Sequence, residues 1–473
     1  MSVATAPPQT SSKAVETIGA LIARARVAQR ELETYDQRRV DDVVDAAAWA
    51  IVEPGRARAL ADLAVDDTGL GNADDKFTKN RRKTMGTLRD LQGAASVGVI
   101  AELPERGLTE YAKPMGVVAA VCPSTNPAAT PANKALMALK AGNAIILSPS
   151  PKGASTCRLL LTYMHEQLDK VGAPRDLVQM IDEPSKELTY ELMRQADFVV
   201  VTGSQKNVRA AYGSGTPAIG VGVGNAPVLI DADADLPDAA RKIVESKTFD
   251  YATSCSSENS VHIHDSVYED ALDALRSEGG YLLDAAERER LQSVMWPDGR
   301  LSPKVTAQSP ESIATLAGID APEGTRFFMV DEDGYGSDHP FSGEKLSVVL
   351  TVYRWSDLDA ALTRIQAILD FQGAGHSCGI HTQSDARARH VADRLRVARV
   401  LVNQAHAMGN GGSFDNGLGF TLTMGAGTWA GNSISENLSY RHFMNMTRLA
   451  RVIPPSEPTQ DELFGHYHET YGE

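Results

Sequence analysis

Near the start of the chain apolar residues recur every three or four positions. Val40, Val43, Val44, Ala47 and Ile51 share one helix face, and Pro54-Gly55 stops the run. A helical segment from about Ser12 to Glu33 comes before it, after a frayed tail over residues 1–12, so two or three amphipathic helices open the fold. From Gly116 the pattern changes. GVVAAVCPS, NAIILSPS, LVQMIDE and DFVVVTGS are short, almost wholly apolar runs separated by helical stretches such as Ser155 to Val171. Apolar runs without alternation are how a parallel sheet covered on both faces reads in sequence. A second series, APVLIDADADL, SVHIH, KLSVVLTVYRW and ARVLVNQ, repeats the pattern. The expected fold class is α/β, with two doubly wound domains, residues 1–232 and 233–430, joined near Ile230 to Leu236. Gly98 to Pro114 interrupts the first as a possible extended hairpin, and 431–473 forms a C-terminal segment that returns to the first domain or a subunit interface.

Composition narrows the functions. The 473 residues, 42% hydrophobic and 23% charged, suffice for two or three packed cores. With 46 basic against 61 acidic residues the net charge is -15, which argues against nucleic-acid and membrane-surface partners. No run of about 18 apolar residues occurs, and MSVATAPPQTSSKAVET lacks the blocks of a secretion signal, so a cytoplasmic protein is expected.

The four cysteines, Cys122, Cys157, Cys255 and Cys378, form no C-x-x-C pair, so neither a metal site nor a disulfide framework is indicated. Cys122, Cys157 and Cys378 adjoin strand- or helix-like apolar runs and read as small core residues. Cys255 differs: in DYATSCSSENSV it lies among small polar residues ahead of the strand-like SVHIH. The string leaves a thiolate nucleophile and a small loop residue equally open. His262, His264, His376, His381 and His406 fall in no hydrolase signature, and a cysteine without a histidine base suits an electrophile such as an aldehyde.

In doubly wound sheets ligands gather at the carboxyl edge, here the loops Cys122-Pro-Ser-Thr-Asn-Pro, Ser148-Pro-Ser-Pro and Thr202-Gly-Ser. Asn126 in the first could donate N–H groups to an oxyanion or simply start a turn before Pro127. Thr202, Gly203 and Ser204 follow an apolar strand and open a helix, a geometry that aims free N–H groups at phosphate. GSGTPAIGVGVGNAP carries Gly222 and Gly224 but not the usual dinucleotide fingerprint, and reads as close backbone approach to a ligand or neighbour.

Taken in order, RARVAQRELETYDQRRVDDVV, DDKFTKNR, PSTNPAATPANKALMALKAGNAIILSPSPKG, VTGS, GVGVGNAP, SKTFDYATSCSSENSV, EKLSVVL, NGGSFDNG and MGAGTWAGNSISENLSYRH resemble the aldehyde dehydrogenase superfamily, and within it the CoA-acylating members. The resemblance implies an aldehyde dehydrogenase-like fold in which 1–232 binds the nucleotide, 233–430 carries the catalytic cysteine, and the hairpin is an oligomerisation arm of a homodimer or homotetramer. It implies Cys255 as nucleophile, Asn126 as oxyanion donor, Thr202, Gly203 and Ser204 with Gly222 and Gly224 about the cofactor, and Glu344 on the nicotinamide ribose. Hydrolytic members begin the glycine segment with a glutamate that activates water; here Val221 stands at that place, so the implied acceptor of the acyl group is coenzyme A. The run Ser148-Pro-Ser150-Pro-Lys152 lacks the acidic ribose ligand of many members, which permits NADP and leaves NAD open. Relatives of this form act on acetaldehyde, succinate semialdehyde or sulfoacetaldehyde. His406, Asn410 and Ser413 in NQAHAMGNGGSFDNG are expected to hold a small anionic tail, which favours sulfoacetaldehyde. Glutamyl-phosphate reductase and a non-catalytic assembly module are the alternative readings.

Overall fold

The computed structural model describes residues 11–472; the expected N-terminal tail lies almost wholly outside them. The first helix, Ser12–Leu32, is capped by Ser11, whose hydroxyl accepts from the Ala14 N–H. Gln37–Val52 buries Val40, Val43, Val44, Ala47 and Ile51 as the three-and-four spacing predicts. Pro54 both ends that run and occupies the first turn of the next helix, Pro54–Thr68, where its missing N–H has no partner to lose. The fourth helix, Ala73–Leu91, is unusual: apart from Gly86 and Leu91, the residues it buries are Lys76, Lys79, Asn80, Lys83, Thr84 and Thr87, all polar.

Two parallel sheets follow. The first has five strands in the order Val178–Met180, Ala144–Ser148, Val117–Val121, Phe198–Thr202, Ala218–Val221. The chain builds outward from Val117–Val121 to one side and then returns to the other. The order therefore reverses between Val117–Val121 and Phe198–Thr202, and a crevice opens beyond their carboxyl ends. The loops leaving those two strands carry Asn126 and Thr202-Gly203-Ser204. The second sheet has seven parallel strands: Gly280–Leu282, Phe327–Asp331, Val349–Trp355, Glu258–His264, Ala226–Ile230, Cys378–His381, Val400–Val402. Ala226–Ile230 belongs to this sheet, so the crossing falls between Val221 and Ala226, ahead of the expected boundary at 232. Because that connection is so short, the carboxyl edge of the first sheet meets the amino edge of the second.

The hairpin is present as Gly98–Leu103 paired antiparallel with Leu108–Pro114, turning at Gly107 (φ +61°). Met444–Ala450 pairs along the full length of Leu108–Pro114, so the C-terminal segment does return to the hairpin. Cys122, Cys157 and Cys378 are buried, as their apolar settings required. Among the described residues no helix is long and apolar enough to cross a membrane.

Candidate active site

Cys255 follows the turn Phe249–Ala252, in which Asp250, Tyr251 and Ala252 hold φ values of 52°, 50° and 60°. Left-handed backbone costs an L-residue about 1–2 kcal/mol, so three in succession must be held by their surroundings. Asp250 does the holding. Fully buried, its carboxylate accepts from Lys76 Nζ (3.0 Å), Lys79 Nζ (2.5 Å), Thr253 Oγ1 (2.6 Å) and the Asn72 N–H (3.0 Å). Its own N–H donates to Asp75 Oδ2 at 2.7 Å. Burial alone would raise its pKa, but Lys79 and Lys76 overcome that and leave the carboxyl below its ordinary range. Gly71 lies so close that a Cβ there would fall 1.8 Å from Asp250 Oδ1.

Lys79 reaches one residue further and donates to Asn126 Oδ1 at 2.9 Å. An ammonium only donates, so this contact fixes which end of the amide faces it. The Nδ2 end of Asn126, whose one partner is a long 3.4 Å contact with Thr125 Oγ1, is left to face the site. Asn126 also lines a small cavity that reaches Ser254, next to Cys255.

Cys255 is half-buried, and burial, with Glu344 adding to it and Ser256 and Arg399 opposing, pushes the thiol up to about 12. The resting sulfur is therefore protonated. Gly224 packs against it: a Cβ on Gly224 would meet the Cys255 carbonyl oxygen at 2.5 Å and Cβ at 2.8 Å. The Gly224 N–H donates to Glu344 Oε1 at 3.0 Å, so the expected ribose carboxylate, the glycine segment and the cysteine loop meet at one point. Burial raises Glu344 to about 8 against the pull of that N–H and of Lys345. Val221, 3% exposed, ends the strand that pairs with Phe198–Thr202 and opposes Thr202.

The cofactor residues divide. Ser204 caps the helix Gln205–Tyr212, and open space surrounds the position of a Cβ on Gly203. A Cβ on Gly222 would sit 2.2 Å from Gln205 Oε1, so glycine there keeps the backbone close to that helix start. Thr202 Oγ1 is bonded to Thr423 Oγ1 at 2.7 Å across the two domains. Bare backbone at a helix start, glycine where the chain crowds and a carboxylate nearby fit a dinucleotide. Ser150 is half-buried and Lys152 exposed. Ser148 departs from the expectation: it is 1% exposed and its hydroxyl is spent on Thr189 Oγ1 at 2.8 Å, because the strand it ends is covered on both faces.

The expected tail-binding loop also differs. His406 is 1% exposed with Nε2 on Ser377 Oγ, and its N–H donates to Glu258 Oε1. Asn410 is wholly buried with Nδ2 on Ser256 Oγ at 2.8 Å, behind the cysteine loop. Both bond to the structure around the cysteine loop, and neither lines the small cavity beside Asn126. Ser413 is 5% exposed and accepts from Arg82 Nη2 at 2.8 Å. A narrow cavity of about 30 Å³ is walled instead by Lys79, Arg82, Lys83, Phe249 and Leu422 and reaches Asn126 and Ser254, next to the cysteine. The sequence reading passed over these cations, although DDKFTKNRRK places basic residues on one helix face with no acids interleaved. It also passed over Glu258, fully buried three positions after Cys255 and raised by burial to about 7.

Comparison with known proteins concerns the chain as a whole. The aldehyde dehydrogenase family model matches residues 5–291. The chain is 54% identical to a sulfoacetaldehyde dehydrogenase (acylating) of Cupriavidus necator over 472 residues, 99% of this chain and 96% of that relative. It is 37% identical to a succinate-semialdehyde dehydrogenase (acetylating) of Clostridium kluyveri over 95% of this chain and 99% of the relative. An acetylating aldehyde dehydrogenase structure from Geobacillus thermoglucosidasius matches with a TM-score of 0.91 at 34% identity, covering 94% of this chain and 99% of that one. A family model spanning more than half the sequence, and relatives matched along nearly their whole length, join the paired sheets and the braced cysteine loop in one conclusion: the chain belongs to the aldehyde dehydrogenase family.

Proposed function

We propose that the chain is a CoA-acylating aldehyde dehydrogenase. It converts a short aldehyde, sulfoacetaldehyde foremost, with oxidised NAD(P) and coenzyme A into the acyl-CoA, reduced cofactor and a proton. The observation that carries the reading is Val221: a buried, apolar side chain stands where hydrolytic members of the family have a water-activating carboxylate. The 54% identity to the acylating enzyme of C. necator supports it.

The residues then act as follows. The Cys255 thiol loses its proton to water and the thiolate adds to the aldehyde carbon; the oxyanion that forms lies against Asn126 Nδ2, whose Oδ1 end Lys79 holds, and the Cys255 N–H. A bound nicotinamide supplies the acceptor for the hydride that leaves this carbon. Glu344 and the Thr202-Gly203-Ser204 loop would hold that cofactor, and Gly224 sets the separation between glycine segment and sulfur. The resulting Cys255 thioester lacks a neighbouring carboxylate to activate water at Val221, so it survives until the CoA thiolate attacks the acyl carbon and expels the Cys255 sulfur. Exposed Lys152 and half-buried Ser150 could contact a 2′-phosphate, so NADP is permitted and NAD is left open.

A groove of about 950 Å³ runs between the end of the helix Ala73–Leu91, the hairpin and the C-terminal segment, lined by residues such as Gln92, Ile100, Tyr440 and Met446, and is consistent with the hairpin serving as the arm of a dimer or tetramer. Following the absorbance of the reduced cofactor with and without CoA, with mass analysis of the product, tests the reading. CoA-dependent turnover to a thioester is expected; free carboxylic acid formed at full rate without CoA overturns it.

A further inference from the structure

The helix Ala73–Leu91 turns toward the active site a face that is both buried and cationic, with Lys76, Lys79 and Lys83 at 3%, 6% and 8% exposure and Arg82 beside them. Their partners separate them into two kinds. Lys76 and Lys79 share the Asp250 carboxylate, and Lys79 adds Asn126 and Thr253. Arg82 and Lys83, among the described residues, have no carboxylate within ion-pair reach. Arg82 donates to Ser413 Oγ at 2.8 Å and to the Met408 carbonyl at 3.4 Å, and Lys83 to the carbonyls of Gly411 and Gly412 at 2.9 and 3.2 Å. Asp415 and Glu245 act on Arg82 only through their longer-range field. Burial, followed by the proximity of Arg82 and Lys79, drives Lys83 down to about 7. Removing a charge from water without a counter-charge is costly, by several kcal/mol per ion, so this pair is incomplete as it stands.

All three of Lys79, Arg82 and Lys83 line the 30 Å³ cavity that ends at Asn126 and Ser254. A cavity that size has room for about two waters, which closes it to long chains and leaves space for a small head group. For an aldehyde whose charged group is one or two bonds from the carbonyl, the oxyanion donor and the cation must be neighbours, and here one cavity joins them. Arg82 has the fitting chemistry, since a planar guanidinium with donors to spare can meet two oxygens of one anion at once.

We propose that Arg82, backed by Lys83, receives the anionic tail of the aldehyde, a sulfonate or carboxylate, and so determines which aldehyde is chosen, while Lys79 stays engaged with Asp250 and Asn126. The inference rests on the acylating aldehyde dehydrogenase reading above and reassigns the tail site from His406 and Asn410 to the helix opposite. A neutral aldehyde leaves the two cations uncompensated and an anionic one completes them. Discrimination of this kind is large, because a site built for a polar group penalises the analogue without it.

The test is the ratio of kcat/KM for sulfoacetaldehyde to that for acetaldehyde, with CoA present. Arg82→Met is expected to lower it about 30- to 100-fold, chiefly through KM for the sulfonate, and Arg82→Lys to recover about tenfold of that loss. A ratio within threefold of the wild type in Arg82→Met overturns the proposal. Succinate semialdehyde in the same assay distinguishes carboxylate from sulfonate as the preferred tail. A second measurement needs no turnover: methanesulfonate is expected to slow iodoacetamide alkylation of Cys255 in the wild-type protein and not in Arg82→Met. Absence of protection in the wild type overturns the anion site. The acylating reading fails on a different observation, wild-type turnover of either aldehyde that does not require CoA.

Discussion

Lys79→Met separates the two duties of one ammonium. The substitution keeps the length and apolar stem of the side chain and deletes the donor to Asp250 Oδ2, Thr253 Oγ1 and Asn126 Oδ1. For stability, breaking a buried pair by removing its only cation costs about 3–5 kcal/mol. Asp250 keeps Lys76, the Asn72 N–H and the Thr253 hydroxyl, so about half that, ~2 kcal/mol, is expected. For catalysis, deleting an oxyanion donor outright lowers kcat about 10²- to 10³-fold. Lys79→Met leaves Asn126 in place with its amide free to turn, so a loss of about 10- to 100-fold is expected. Acetaldehyde is the substrate for the measurement, because its neutral tail makes no demand on the cationic cavity. The decisive assay is a double-mutant cycle of kcat with Asn126→Ala, with thermal unfolding recorded alongside. If Lys79 acts through Asn126, adding Lys79→Met to Asn126→Ala lowers kcat by less than threefold beyond the single variant. Two multiplicative losses would refute the positioning role and leave Lys79 as a structural ion alone.

Three further outcomes follow from the same geometry. Because burial and Glu344 raise the Cys255 thiol to about 12, its thiolate fraction climbs throughout the neutral range. Iodoacetamide alkylation of the ligand-free protein should rise about tenfold per pH unit from 7 to 9, and a plateau near 8 contradicts the assignment. Gly224→Ala places a Cβ 2.5 Å from the Cys255 carbonyl oxygen and must displace the loop; a displacement near 1 Å costs about 10²-fold, so kcat should fall by that much while the fold, followed by circular dichroism, persists. Lys152→Glu reverses an exposed charge, and if Lys152 meets a 2′-phosphate KM for NADP should rise about three- to fivefold with KM for NAD nearly unchanged; equal changes for both show that the residue does not meet a phosphate.

What could be read from the sequence, and what could not, follows from the range of the forces involved. The opening helices and both parallel sheets were legible because their burial is periodic or continuous along the chain itself, as in Val40 to Ile51 and in GVVAAV. The sheet boundary was not, because APVLI looks the same whichever sheet takes it; only the pairing of Ala226–Ile230 with Glu258–His264 and Cys378–His381 decides. Cys255 was legible as an oddity, a thiol among small polar residues, and the family motif supplied its role. His406 and Asn410 are buried and engage Ser377, Glu258 and Ser256, which their sequence context did not foretell. Sequence gives a loop's donors but not where they point, and Asn410 points into Ser256.

The cationic face of Ala73–Leu91 is the instructive failure. Lysines three and four residues apart on a helix ordinarily mark a solvated face. That reading assumes water is the only partner on offer. Here the partner is Asp250, 174 residues further along the chain from Lys76, and its carboxylate draws two of the lysines inward. Once those two are buried, the helix period brings Arg82 and Lys83 in with them, although Asp250 bonds to neither. Asp250 thus neutralises Lys76 and Lys79, whereas Arg82 and Lys83 meet carbonyls, a hydroxyl and the rings of Phe414 and Phe420, none of which carries a negative charge. Among the described residues Arg82 and Lys83 lie without a carboxylate partner against the cavity that meets the cysteine loop, and with Lys83 lowered to about 7 an anion entering there supplies the missing counter-charge and draws Lys83 into its protonated form.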